Sequence, residues 1–190
     1  MSKRVFKPGN MLYPVPAALV SCMDKEGRSN LITVAWTGTI CSDPPMLYIS
    51  VRPERYSYHM IEETGEFVLN LTTKDMVKGV DLCGVKSGKS TDKWALAGFT
   101  PEKGAMVSCP LVKESPVNLE CRVKEIRKLG SHDMFLAEIV AVDVDERYFD
   151  QNDRFCLNDT GLVAYSHGEY FELGKKLGSF GYSVKGTGKK

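Results

Sequence analysis

The chain has 190 residues, 43% of them hydrophobic, and its 25 lysines and arginines against 24 acids leave a net charge of +1. That balance excludes a disordered chain and gives no bulk attraction for nucleic acid or a membrane surface. The length predicts one domain, residues 1–190, with room for a real core.

Residues 15–23 are short, apolar and partly alternating. Asp24-Lys25-Glu26-Gly27 then turns the chain and residues 31–36 return, which predicts a β-hairpin. Asp43-Pro44-Pro45 breaks the chain, and residues 46–51 form the next strand. Pro53 stops it, because proline cannot donate to a ladder. Residues 57–64 read as a short helix, with Ser57 as N-cap, Met60 and Ile61 facing the core, and Gly65 as the left-handed cap. Phe67, Leu69 and Leu71 alternate with Glu66, Val68 and Asn70, a strand with one well-buried face.

Further on, Met76, Val77 and Val80 have helical spacing, residues 86–93 form a polar loop, and residues 92–97 start another short helix. Residues 101–110 read as irregular. Val117, Leu119, Cys121 and Val123 alternate with polar neighbours and mark a clear strand. Leu129-Gly130-Ser131-His132 turns the chain into a long strand over residues 134–144, and residues 147–160 read as a polar loop. The stretch 165–182 is rich in glycine and aromatics. At least six strands joined by hairpins, with two or three short helices, predict a mainly β fold, a closed antiparallel barrel. The regular helix–strand alternation of a doubly wound fold is missing.

The N-terminal MSKRVFKPGN has charge with no apolar run behind it, which predicts no secretory signal. The apolar stretches are strand-length, too short to span a bilayer. The six cysteines show no CxxC or histidine spacing, which argues against a zinc site and for reduced thiols in a cytoplasmic protein. The terminal KGTGKK reads as a frayed end.

Three motifs carry less than they suggest. Gly84 to Ser90 looks like a phosphate-binding P-loop, but only three residues separate its glycines, where the loop needs four to wrap a phosphate. Ser131-His132-Asp133 holds triad residue types, yet neighbours on a strand point to opposite faces, so a turn is the better reading. His59 reads as a surface or core histidine.

The run from Ser50 to Ser57 is more informative. Ser50, Arg52, Arg55, Tyr56 and Ser57 are donors gathered where a strand hands over to a helix. Free N–H groups at a helix start attract an anion, and two guanidiniums add charge-assisted bonds to phosphate oxygens. A phosphate monoester carries nearly two charges at neutral pH, which this set balances. The adjacent strand with Thr33, Ala35 and Trp36 offers an apolar, backbone-rich wall. A nucleotide-like cofactor with a flat ring fits, a flavin best. Strand-end N–H groups near Ala35 and Trp36 would stabilise its electron-rich reduced ring.

The runs TVAWTGTICSDPP, LYISVRPERYSYHMI and GEFVLNL, with the later VNLEC, the stretch 131–144 and YSHGEYF, together resemble the flavin reductase-like, FMN-binding split-barrel proteins, in particular the flavoredoxin group. The resemblance spans nearly the whole chain. It implies a six-stranded Greek-key split barrel working as a homodimer, with FMN near the subunit interface. It places Thr33, Val34, Ala35, Trp36 and Thr37 along the isoalloxazine. Ser50, Val51, Arg52, Arg55, Tyr56 and Ser57 would hold the phosphate and ribityl chain. Lys89, Ser90, Asp92 and Lys93 would join the same pocket, and Tyr165 and His167 would approach the flavin.

The implied activity is an oxidoreductase that passes electrons from NAD(P)H through FMN to free flavin, ferric iron or a redox protein. No catalytic side chain is required, because the flavin carries the chemistry. A flavoredoxin-type electron carrier without direct NAD(P)H oxidation is the alternative within redox chemistry. A flavin-free binding module on the same barrel is the alternative from another class.

Overall fold

The computed structural model describes residues 1–184, and the KGTGKK tail expected to fray lies outside the described residues. The first half runs through β1 (Val15–Pro16), β2 (Ala18–Met23), β3 (Ser29–Val34), β4 (Thr37–Ser42), β5 (Pro45–Val51), α1 (Tyr56–Thr64), β6 (Glu66–Leu71) and α2 (Val77–Val85). Then come α3 (Lys93–Ala97), the short strands β7 (Pro101–Glu102) and β8 (Leu111–Val112), the long pair β9 (Val117–Lys128) and β10 (Asp133–Val144), and the hairpin β11 (Val163–Ser166) with β12 (Glu169–Glu172).

Seven strands form one antiparallel sheet in the order β3-β2-β6-β9-β10-β5-β4. The fold is mainly β, as the alternation predicts. The strand the alternation does not mark is β4, which pairs with β5 through a tight turn at Asp43-Pro44. β11 lies between β1 and β12 in a separate small sheet.

Ile32 and Val34 come from one end of the strand order, Ile49 and Val51 from near the other. All four share a single core with Phe67, Phe135 and the α1 residues Tyr58, Met60 and Ile61. Side chains from both ends can meet only if the sheet rolls up, and register shifts in the β9–β10 pair supply local bends. Helix α1 carries the chain from β5 to β6, which are consecutive in sequence but separated by β9 and β10. Its expected core face is present, and Gly65 ends it at φ 69° with its N–H on the Ile61 carbonyl.

Outside the roll, α2 and α3 pack on β2 and β3 through Leu19, Leu31, Val80, Cys83, Trp94 and Phe99. Gly79 permits this close approach, since a Cβ there would lie 2.6 Å from the Phe99 ring. The expectation of one buried face on β6 is corrected: Phe67, Val68, Leu69 and Asn70 are all buried. The stretch between β7 and β8 covers the outer face, laying Val107, Cys109 and Leu111 on Val68. Glu120 holds that stretch in place, accepting the N–H groups of Ala105, Met106 and Val107 at 2.7–2.8 Å. Among the described residues no helix is long and apolar enough to cross a membrane.

Candidate functional site

β3 ends at Val34 and β4 begins at Thr37, so Ala35 and Trp36 fall outside both ladders. There the Trp36 carbonyl accepts the Ser50 N–H at 2.9 Å, which pins the bend against the end of β5. β5 ends at Val51, and an Arg55 N–H to Arg52 carbonyl turn starts α1. Between the bend, this turn and α2 lies a cavity of about 410 Å³. A second cavity of about 220 Å³ adjoins it, and Ile32 and Arg55 line both. Volumes of this order suit small-molecule sites.

The larger cavity gathers Thr33, Val34, Ala35, Trp36, Ser50, Val51, Arg52, Arg55 and Tyr165 from the set picked out in the sequence. The smaller one gathers Tyr56, Ser57 and Lys93. Thus strand, turn and helix start do converge on one place.

Other members of that set lie elsewhere, for identifiable reasons. Thr37 turns away from the cavity and its hydroxyl donates to the Tyr48 carbonyl. Asp92 caps α3, accepting the N–H groups of Trp94 and Ala95. Lys89 and Ser90 are exposed on the loop before it and line neither cavity. His167 occupies the left-handed turn of the β11–β12 hairpin, with φ 50°, and packs edge-on against Tyr13. Its neighbour Gly168 lines the cavity instead.

Ser57 is not the cap of α1. The helix starts one residue earlier than expected, with Arg55 at the cap position and no side-chain cap. Ser57 therefore lies within the first turn, 1% exposed, and accepts a hydrogen bond from Asn30 Nδ2 at 2.8 Å. Asn30 in turn lies under Gly88, where a Cβ would approach its Oδ1 to 2.2 Å. That contact seats the 86–88 loop as a wall of the smaller cavity.

The site is cationic on balance: Arg52, Arg55, Lys86 and Lys93 line it against Asp81 and Glu54, the latter 3.6 Å from Arg52. Arg55 Nη1 lies 3.5 Å from the Gly84 carbonyl in the last turn of α2. Lys93 is only 5% exposed and donates to the Leu31 and Cys83 carbonyls, both at 2.8 Å. That leaves one of its three donors for the cavity wall. Burial, with Arg55 adding repulsion, lowers the Lys93 ammonium below the usual lysine range. Burial and the nearby Arg52 and Arg55 likewise lower the His132 imidazole below its ordinary value. Burial pushes the Cys83 thiol behind Lys93 up to about 11, so it is not a nucleophile at neutral pH.

Residues that the sequence reading missed complete the walls: Tyr13, Asp81, Gly84, His132 and Tyr170. Asp81 and Gly84 sit one turn apart on α2, so the phase of that helix could have revealed them. His132 belongs to the β9–β10 turn read from sequence, where Leu129 N–H meets the His132 carbonyl. The triad types around it separate only in part: the Ser131 hydroxyl stays 3.0 Å from His132 Nδ1, while Asp133 points away. Asp133 is buried and accepts the Tyr58 hydroxyl at 2.6 Å, while His132 lines the cavity. His59 lies at the surface beside Glu62.

The family model described as the flavin reductase like domain matches residues 10–174. The chain belongs to the flavin reductase-like family. Among solved structures, this flavin reductase-like chain is similar to the flavoredoxin of Desulfovibrio vulgaris (Miyazaki F), with 30% identity and a TM-score of 0.88 over 97% of this chain and 100% of that one. It is equally similar to the flavoredoxin from Methanosarcina acetivorans, with 29% identity and a TM-score of 0.88 over 97% and 98% of the two chains. An uncharacterized protein of Archaeoglobus fulgidus is 32% identical over 139 residues, 73% of this chain and 77% of that one. Family and neighbours together support a flavin cofactor and a redox role.

Proposed function

We propose that the chain binds FMN across the two joined cavities and passes electrons from NAD(P)H through it to an acceptor such as free flavin, ferric iron or a redox protein. The observation that carries this reading is the cationic junction. Arg55 borders both cavities, with Arg52 on one side and the inward Lys93 on the other. A phosphate dianion is the ligand group that such a set balances. The residues present fit the cofactor: a donor set for the phosphate, next to an apolar bend at Val34–Trp36 for a flat ring.

FMN, when bound, would supply the redox chemistry itself. The chain's own part is to hold the phosphate with Arg52 and Arg55 and to place the ring along Thr33–Trp36. We further place the protein in the cytoplasm as a homodimer, the arrangement expected from the family resemblance.

Anaerobic titration of the FMN-loaded protein with NADH and with NADPH tests the enzyme reading. Stoichiometric flavin bleaching with either nucleotide, and steady turnover once free flavin or ferric iron is added as acceptor, are the expected results. A second reading is favoured by the likeness to two flavoredoxins along almost the whole chain. On that reading the protein is an electron carrier whose flavin bleaches only with a partner reductase. A colourless protein that ignores added FMN would favour a flavin-free binding module over both.

A further inference from the structure

Among the described residues, Asp81 is the sole carboxylate lining the larger cavity, which also carries Arg52, Arg55 and His132, while Glu54 lines the smaller one and pairs with Arg52. An acid in an anion site weakens anion binding unless it meets a hydrogen-bond donor of the same ligand. Its position suits that role. Asp81 lies one turn before Gly84, whose carbonyl faces Arg55. At a rise of about 1.5 Å per residue, roughly 5 Å of helix separates them. The carboxylate is thus within one ligand's length of the cationic junction.

Tyr170, on β12, donates its hydroxyl to Asp81 Oδ1 at 3.2 Å. Burial, with the Asp81 charge beside it, pushes the phenol up to about 12, so it remains a donor throughout the physiological range. One oxygen is braced in this way, and the carboxylate keeps lone pairs for a ligand.

We propose that Asp81, braced by Tyr170, accepts a hydrogen bond from an uncharged O–H or N–H group of the bound flavin, on the part of the ligand away from its phosphate. This rests on the flavin reading above and assigns a selectivity residue within it. The cavity then reads its ligand at two points, an anion at Arg55 and a neutral donor at Asp81.

The test measures dissociation constants by flavin fluorescence for FMN, riboflavin and lumiflavin, which share the ring but drop first the phosphate and then the polyol. Asp81→Ala is expected to weaken FMN and riboflavin by the same factor, about tenfold, the scale of one hydrogen bond to a charged group. Asp81→Asn, which keeps an acceptor oxygen, is expected to recover most of that loss. Tyr170→Phe is expected to cost less than threefold. A parallel loss for lumiflavin assigns the donor to the ring, and an unaffected lumiflavin assigns it to the polyol. Unchanged riboflavin binding in Asp81→Ala would overturn the proposal. So would a Tyr170→Phe loss as large as that of Asp81→Ala, since the pair would then only fasten the β11–β12 hairpin to α2. Wild-type protein that binds none of the three flavins would sink the flavin reading itself, an outcome separate from normal wild-type binding with an indifferent Asp81.

Discussion

The Trp36 indole lies against the His132 imidazole, with ring centroids 4.4 Å apart and planes inclined by 48°. Both rings line the larger cavity, one from the β3–β4 bend and the other from the β9–β10 turn. Burial and the two arginines keep His132 neutral near pH 7. A bound phosphate would offset the arginine charge and favour the imidazolium. Affinity for FMN should therefore rise as pH falls from 8 to 6.5. Titrations at these two pH values check it. His132→Gln should flatten the trend, and riboflavin, having no phosphate, should show none.

Arg55 borders both cavities and touches the Gly84 carbonyl. Arg55→Ala should weaken FMN binding by about 1.5–3 kcal/mol, the scale of one charged hydrogen bond. Riboflavin affinity should barely move. Calorimetric titration of both flavins gives the comparison, and an unchanged FMN constant would put the phosphate elsewhere.

Beneath the β7–β8 stretch, Glu120 and Asp143 face each other. Burial alone would raise Glu120, but the N–H groups of Met106, Ala105 and Val107 outweigh it and hold the carboxylate below its ordinary range. Asp143 is pushed up to about 6, by burial first and then by the Glu120 charge. Its Oδ2 is buried with no donor. The folded form of Asp143 thus binds a proton more tightly than the unfolded chain. Its contribution is complete below the ordinary aspartate range and is lost as pH rises through about 6. Glu120 works in the opposite direction, stabilising above the ordinary glutamate range and failing as pH falls below it. Asp143→Asn supplies an N–H in place of the proton. It should gain about 1 kcal/mol at pH 7.5, a value discounted for partial solvent exposure, and little at pH 5. Urea unfolding at the two pH values measures the difference.

Cys41 is half-buried on β4, with its thiol on the Asp43 carbonyl, and it lines neither cavity of the site. Cys41→Ala should retain FMN binding and turnover within about twofold, since surface changes of this kind seldom exceed 0.5 kcal/mol. A dead variant that still holds FMN would give this thiol a chemical role.

What could be read from the sequence was what the chain builds locally. Strand, bend, strand and helix start follow one another between residues 30 and 57, so the alternation and the two arginines located the heart of the site. Gly65 and the β9–β10 turn were visible for the same reason. Side-chain direction was not. The family resemblance places Lys93 near the site, but its inward reach to the Leu31 and Cys83 carbonyls depends on how α2 and α3 pack on β3. Ser57 reads as a cap because nothing local reveals that the Arg52–Arg55 turn starts the helix early. His132 and Tyr170 reach the cavity only through the rolled sheet and the closing hairpin, and no short-range pattern marks that, whereas the phase of α2 carries the signal for Asp81.

The cavity draws its walls from Tyr13 at one end of the chain to Tyr170 near the other. Synthesis must therefore carry the chain past Tyr170 before the complete cavity can form. Ligand present at that moment acts as a thermodynamic latch on the finished molecule, because it binds the native state and not its fragments. Cells short of the ligand would accordingly hold this protein in a form more open to proteolysis, over its whole length and not only at the site.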